Sequence, residues 1–123
     1  MSTPERRRRR SAEPGLALHY QLAACCDEGQ VAAMALADDD GRPLALAGHP
    51  QACRDVAHRL TAVASRIDEA ECTVLGDGQR WDVSMRKVQT PTGAVVVCAV
   101  GGSSLARHRQ IERTRAGAGR ILG

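Results

Sequence analysis

A chain of 123 residues typically buries roughly two-thirds of the surface it exposes when unfolded, enough for one core and too little for two. Apolar residues make up 43% of the sequence but aromatics only 2%, with no Phe, so that core must be built from Ala, Val, Leu and Ile. The formal charge of +3 comes from the first ten residues, where five Arg accompany one Glu, and the other 12 basic and 13 acidic residues leave a body that is not basic.

Arg outnumbers Lys 16 to 1, a bias that base composition of a genome produces without functional cause. The five cysteines (Cys25, Cys26, Cys53, Cys72, Cys98) are odd in number and follow no apolar leader. That pattern points to reduced thiols in a cytoplasmic core rather than a disulfide framework. Asp, Arg or Gly interrupts every hydrophobic stretch before the ~20 residues that a spanning helix needs, so no transmembrane segment is expected.

Residues 1–14 (MSTPERRRRRSAEP) have almost no apolar content to offset the cost of ordering, and are expected to form a disordered, Arg-rich tail. The folded domain is then 15–123. From Gly15 to Asp27, Leu18, Leu22 and Cys25 or Cys26 recur at helical spacing, with Gly29 as the stop. Val31 to Ala37 and Leu44 to Ala47 read as two antiparallel strands around an Asp40-Gly41 turn. From Pro50 to Ile67, the residues Cys53, Val56, Ala57, Leu60, Val63, Ala64 and Ile67 share one helical face, while Asp55 stands one turn before Arg59.

Glu71 to Leu75 predicts a strand, Gly76-Asp77-Gly78 a turn, and Arg80 to Val88 a strand with one wet face. Ala94 to Val100 (AVVVCAV) is apolar on both faces, as in a central strand covered on both sides. Leu105 to Leu122 closes the chain as a helix that Ser104 can cap and that Gly117 and Gly119 weaken. The order α-β-β-α-β-β-β-α, with hairpins joining most strands, predicts an α/β (α+β) domain: a single, mainly antiparallel five-stranded sheet sandwiched by helices.

No catalytic constellation is legible. Gly101 to Ser104 places small residues at a helix start, but the Lys that a phosphate-cradling loop needs is missing, so an ordinary capped loop is expected and no cofactor is called. His19, His49, His58 and His108 form no CxxC, HxH or HExxH spacing with the cysteines, and no metal is called. Asp38-Asp39-Asp40 lacks the alternating ligands and distal Glu of a calcium loop and reads as a hairpin tip. No G-x-S-x-G elbow accompanies Ser103 or Ser104, so the chain is not expected to be an enzyme. Arg6 to Arg10 can attract phosphates, but one Trp and one Tyr give no stacking platform, so no specific nucleic acid is expected.

The element order and the strings EGQVAAMALADDDGRPLALAG and AVVVCAV together resemble the Roadblock, or dynein light-chain 7, family over roughly Leu16 to Leu122. In that resemblance Val31 opens the first strand and Asp40-Gly41 is the hairpin turn. The Arg-rich tail and the glycines near the end depart from the family pattern. The resemblance implies a homodimer or heterodimer in which second helices pack together and edge strands join two sheets. It further implies a partner, a small Ras-like GTPase that the chain regulates or scaffolds. The exposed positions of the second helix, Arg54, His58 and Arg59, are the candidate partner-binding residues. The alternative is a GAF- or profilin-like sensory domain, which requires an internal ligand pocket of about 300 Å³ or more.

Overall fold

The computed structural model describes residues 3–122 apart from 64, 65, 67, 77 and 92, with side chains for 16–60 and, with those gaps, 66–117. Eight elements follow the expected order: α1 (Thr3–Gly29), β1 (Ala33–Asp38), β2 (Pro43–Gly48), α2 (Pro50–Val63), β3 (Glu69–Leu75), β4 (Arg80–Thr90), β5 (Gly93–Val100) and α3 (Ser104–Leu122). The five strands form one sheet in the order β2-β1-β5-β4-β3, and every pairing is antiparallel.

Strand alternation divides the core into two layers. On one face Met34, Leu36, Ala45, Ala47, Val95, Val97 and Ala99 meet Leu18, Leu22 and Cys25 of α1 and Ile111 of α3. On the other, Ala33, Ala35, Val96, Cys98, Val100, Val83 and Met85 meet Ala52, Cys53, Val56 and Leu60 of α2. β5 is central and buried on both faces from Val95 to Val100, as its unbroken apolar run requires. Large aromatic side chains are unnecessary because alanines on β1 let α2 settle close to the sheet.

Element ends differ from expectation for local reasons. α1 is continuous through the Arg-rich segment to Thr3 rather than starting at Gly15. Residues 1 and 2 and the side chains of 1–15 lie outside the described residues, and with them the expectation about the tail. At the other end Gln30, with φ 56°, makes the left-handed turn expected of Gly29. Gly29 serves packing instead, since a Cβ there would overlap the Gln110 side chain of α3. Gly117 does the same for Gln21, so the glycine read as weakening α3 lets it approach α1. α2 is described to Val63, and Ala64 and Ile67 fall outside the described residues. α3 is capped by Ser103, not Ser104: the Ser103 Oγ accepts the Ala106 N–H at 3.0 Å.

A polar cluster with Arg107 and Ser84 buried at its centre ties edge strand β3 to α3. Arg107, 7% exposed, donates from Nε to the Ser84 Oγ at 2.8 Å and from Nη1 to the Gly102 and Gly101 carbonyls at 2.8 and 3.3 Å. The Ser84 hydroxyl in turn donates to Glu71 Oε2 at 2.6 Å, and His108 bonds the other Glu71 oxygen. Burial alone would raise the Glu71 pKa, but the Ser84 hydroxyl, His108 and Arg107 outweigh it and hold the carboxyl below its ordinary value.

The two sheet edges are unlike. Around β2, His19 Nδ1 bonds the Leu46 carbonyl at 2.8 Å, and the Cys26 and Cys53 thiols both donate to the Ala47 carbonyl at 3.7 and 3.4 Å. β3 is exposed at Glu69, Glu71, Cys72, Thr73 and Leu75. An edge strand of this kind offers main-chain groups to another strand.

Candidate docking site

α2 is amphipathic because Ala52, Cys53, Val56 and Leu60 recur at three- and four-residue steps, and burying that stripe turns the intervening positions outward. Arg54, His58 and Arg59 are all on the outward side. The structure brings the three together along one open groove of about 720 Å³, lined also by Gln51, Asp55 and Leu75. Leu75, at the end of β3, is 67% exposed. Two arginines and a histidine thus share the groove with an exposed leucine.

The groove is held from below by hydrogen bonds that the sequence did not disclose. Asp55, expected to pair with Arg59 one turn on, accepts instead from the Trp81 indole N–H at Oδ2 and from Gln51 Nε2 at Oδ1, both 2.8 Å. Gln51 Oε1 accepts from Arg54 Nη2 at 2.8 Å. Gly76 leaves the space for this carboxylate, and a Cβ at that position would overlap it. The His49 ring lies 5.2 Å from the Trp81 ring, tilted by 54°. Gln51, Asp55 and Leu75 were therefore missed as groove residues, and Trp81 as the partner of Asp55. The one available signal was that the chain's single Trp falls at the second position of a strand whose hairpin partner ends in Leu75.

Other sequence candidates have structural employment. The Gly101 N–H donates to the Asp82 carbonyl at 2.8 Å, and the Gly101 and Gly102 carbonyls serve Arg107. Asp38 Oδ1 accepts the Asp40 and Arg42 N–H groups at 3.0 and 2.9 Å, closing the β1–β2 hairpin turn with Gly41 at φ 87°. The histidines have separate surroundings: His19 at β2, His49 beside Trp81, His58 in the groove and His108 on Glu71. All five cysteines are free thiols, and Cys72 is exposed rather than in the core. Burial, followed by the neighbouring Cys53, raises the Cys26 pKa to about 11, and burial also raises those of Cys53, Cys72 and Cys98. Protonated thiols of this kind are poor nucleophiles and poor ligands.

No protein-family model matches the chain, and no curated protein matches its sequence. Solved structures do match. Myxococcus xanthus MglB superposes with TM-score 0.65 at 13% identity over 88% of this chain and 89% of its own. A structure described as MglB with a tetrameric arrangement gives 0.66 at 16% over 88% and 89%. The gliding protein MglB from Thermus thermophilus gives 0.64 at 16% over 88% and 90%. The fold is the Roadblock-like fold of MglB.

Within this Roadblock-like fold, α2 and the β3 edge lie on the side of the sheet opposite α1 and α3 or at its margin, so the groove is separate from the α1–α3 layer. The two core clusters fill both faces of the sheet, and the larger clefts among the described residues are open to solvent and lined mainly by polar side chains. No described helix is long and apolar enough to cross a membrane.

Proposed function

We propose that the protein is a cytoplasmic, dimeric regulator or scaffold that binds a small Ras-like GTPase, in a GTPase-activating or adaptor role, and is not itself an enzyme. The observation that carries this reading is the groove that Arg54, His58 and Arg59 line together with Leu75, on a Roadblock-like fold. A basic, partly apolar surface suits recognition. Changing the turnover of a GTPase requires ordering the partner's own catalytic groups, which a rigid helix face can do without supplying chemistry.

An edge for joining two sheets is present at β3. On α2, Ala52 and Cys53 are buried against the protomer's own sheet. Exposed β3 offers the edge for pairing, whereas side chains already reach the β2 carbonyls. Light scattering at micromolar concentration is expected to give twice the 13.1 kDa chain mass. A Pro at Thr73 should shift that mass toward the monomer if β3 is the pairing edge. A monomeric parent chain would contradict the dimer.

The function itself is tested with the small GTPase encoded nearest to this gene. The isolated chain is expected to show no saturable nucleotide binding, while GTP turnover by the GTPase changes when the chain is added. Arg54→Glu or Arg59→Glu should reduce that effect by about tenfold and make it less dependent on salt, with little change in melting temperature. Tight GTP binding by the chain alone would overturn the proposal.

A further inference from the structure

The pairing of β3 with β4 fixes which main-chain groups of the edge strand point away from the sheet. Gly76 and Gln79 exchange N–H and carbonyl bonds, and the Lys87 N–H donates to the Asp68 carbonyl. The register between these points is unbroken, from Glu69 opposite Arg86 to Leu75 opposite Arg80. Alternation along an antiparallel ladder therefore turns the main-chain groups of Ala70, Cys72 and Val74 toward β4. Those of Glu69, Glu71, Thr73 and Leu75 face outward, because β3 is the last strand of the sheet.

The side chains carry a second pattern. Ala70 and Val74 belong to the core layer under α2, so Cys72 between them stands on that face of the strand, with its thiol exposed. Glu69 and Glu71 make one half of β3 acidic, while Thr73 and Leu75 leave the other half uncharged.

We propose that β3 pairs antiparallel with β3 of a second copy about a two-fold axis at Cys72, which sets the two Cys72 thiols opposite one another. The inference rests on the reading of the protein as a dimer and adds the register and the central residue of the contact. Cys72 is the middle of the strand Glu69–Leu75, so this register alone places every residue of one β3 opposite a residue of the other. Glu69 then lies opposite Leu75, Glu71 opposite Thr73 and Ala70 opposite Val74, and all the outward main-chain groups fall in hydrogen-bonded pairs. Each acidic half meets an uncharged one. A strand that complements its own reverse in this way selects a second copy as its occupant.

The neighbouring registers are worse. Centring on Glu71 would oppose two carboxylates directly, and centring on Thr73 would carry Glu69 and Ala70 past the end of the other strand. A slip by one residue would join the α2 face of one copy to the opposite face of the other, which a two-fold axis forbids. Because the Cys72 main chain faces β4, the two cysteines meet as a non-hydrogen-bonded pair. Cα atoms in such a pair are about 4.5 Å apart, within the roughly 4.4–6.8 Å that a disulfide spans.

The test traps the full chain with diamide at about pH 8.5, because burial, followed by Glu71, raises the pKa of the Cys72 thiol and slows its reaction. Two thiols give up two protons and two electrons, an S–S bond forms, and the N=N bond of diamide becomes a hydrazine. Denaturing gels without reductant read the linked dimer, and light scattering reads the native mass. Most of the parent chain is expected to link, and Cys72→Ser to cut the linked fraction by at least about tenfold while the native mass stays that of a dimer. Thr73→Cys in the Cys72→Ser chain should link no better than Cys72→Ser itself. In the proposed register the two copies of position 73 lie about 8 Å apart, beyond disulfide reach.

A dimer that does not link, or that links as readily after Cys72→Ser, overturns the register while the dimer reading stands. Efficient linking through Thr73→Cys moves the axis and overturns it as well. A monomeric parent chain overturns both readings.

Discussion

Arg107→Ala is expected to destabilise the fold by about 2–4 kcal/mol, read as a fall in urea midpoint and in melting temperature. The side chain is buried and its donors serve three acceptors from two directions: Ser84 on β4 and the Gly101 and Gly102 carbonyls of the β5–α3 loop. Truncation removes those donors and leaves a void. Arg107→Met keeps most of the volume but none of the donors, so it should recover less than half of the loss. Full recovery by Met would show that packing, and not hydrogen bonding, is what Arg107 supplies.

The same cluster gives stability a dependence on pH. The Glu71 carboxyl is held below its ordinary value of 4.5 in the folded chain, so its contribution is complete above that value and is lost as pH falls through the lower, folded one. Glu71→Gln is therefore expected to lower the neutral plateau of a stability profile and leave its acid end nearly unchanged, which flattens the acid limb. An acid limb identical to that of the parent would remove Glu71 from the cluster's energetics.

The second large effect is expected from Leu60→Ala, at about 2–5 kcal/mol, because Leu60 is fully buried between α2 and the sheet and the neighbouring strand residues cannot collapse into the space. A loss of this size approaches the whole stability of many small domains. His58→Ala, two residues earlier on the outward side of the same helix, should change stability by less than about 0.5 kcal/mol. Chemical denaturation of the pair separates the buried and outward faces of α2, and equal losses would contradict the orientation that points His58 into the groove.

How far the sequence reaches depends on the period of each signal. β5 declared itself through AVVVCAV, and α2 through the Cys53, Val56, Leu60 spacing, because burial on two faces or one stripe leaves a periodic mark. Arg54, His58 and Arg59 were legible as outward residues for the same reason. What joins them to Leu75 was not. Asp55 lies one turn from Arg59 along the helix, so local spacing favoured that pair, whereas the Trp81 indole comes from a strand 26 residues away. The choice of Ser104 over Ser103 as cap failed similarly, since both are serines and the decision belongs to backbone geometry. Gly29 and Gly117 looked like helix breakers because the neighbour that needs their missing Cβ is on another element.

The pairing of β1 with β5 sets the order in which the chain can assemble. β1 and β2 form a hairpin, and β3, β4 and β5 form a meander, each closed by short turns. The two halves meet along one seam, from Ala33 opposite Val100 to Asp38 opposite Val95. Its partners are separated by about 60 residues, so loop-closure entropy must be overcome before any rung of the seam returns free energy. Until that moment the most apolar strand of the chain has one edge open in water. Formation of the seam is thus the step that should limit the folding rate, and the interval before it is when two unfinished copies can join through β5 instead of through a native edge.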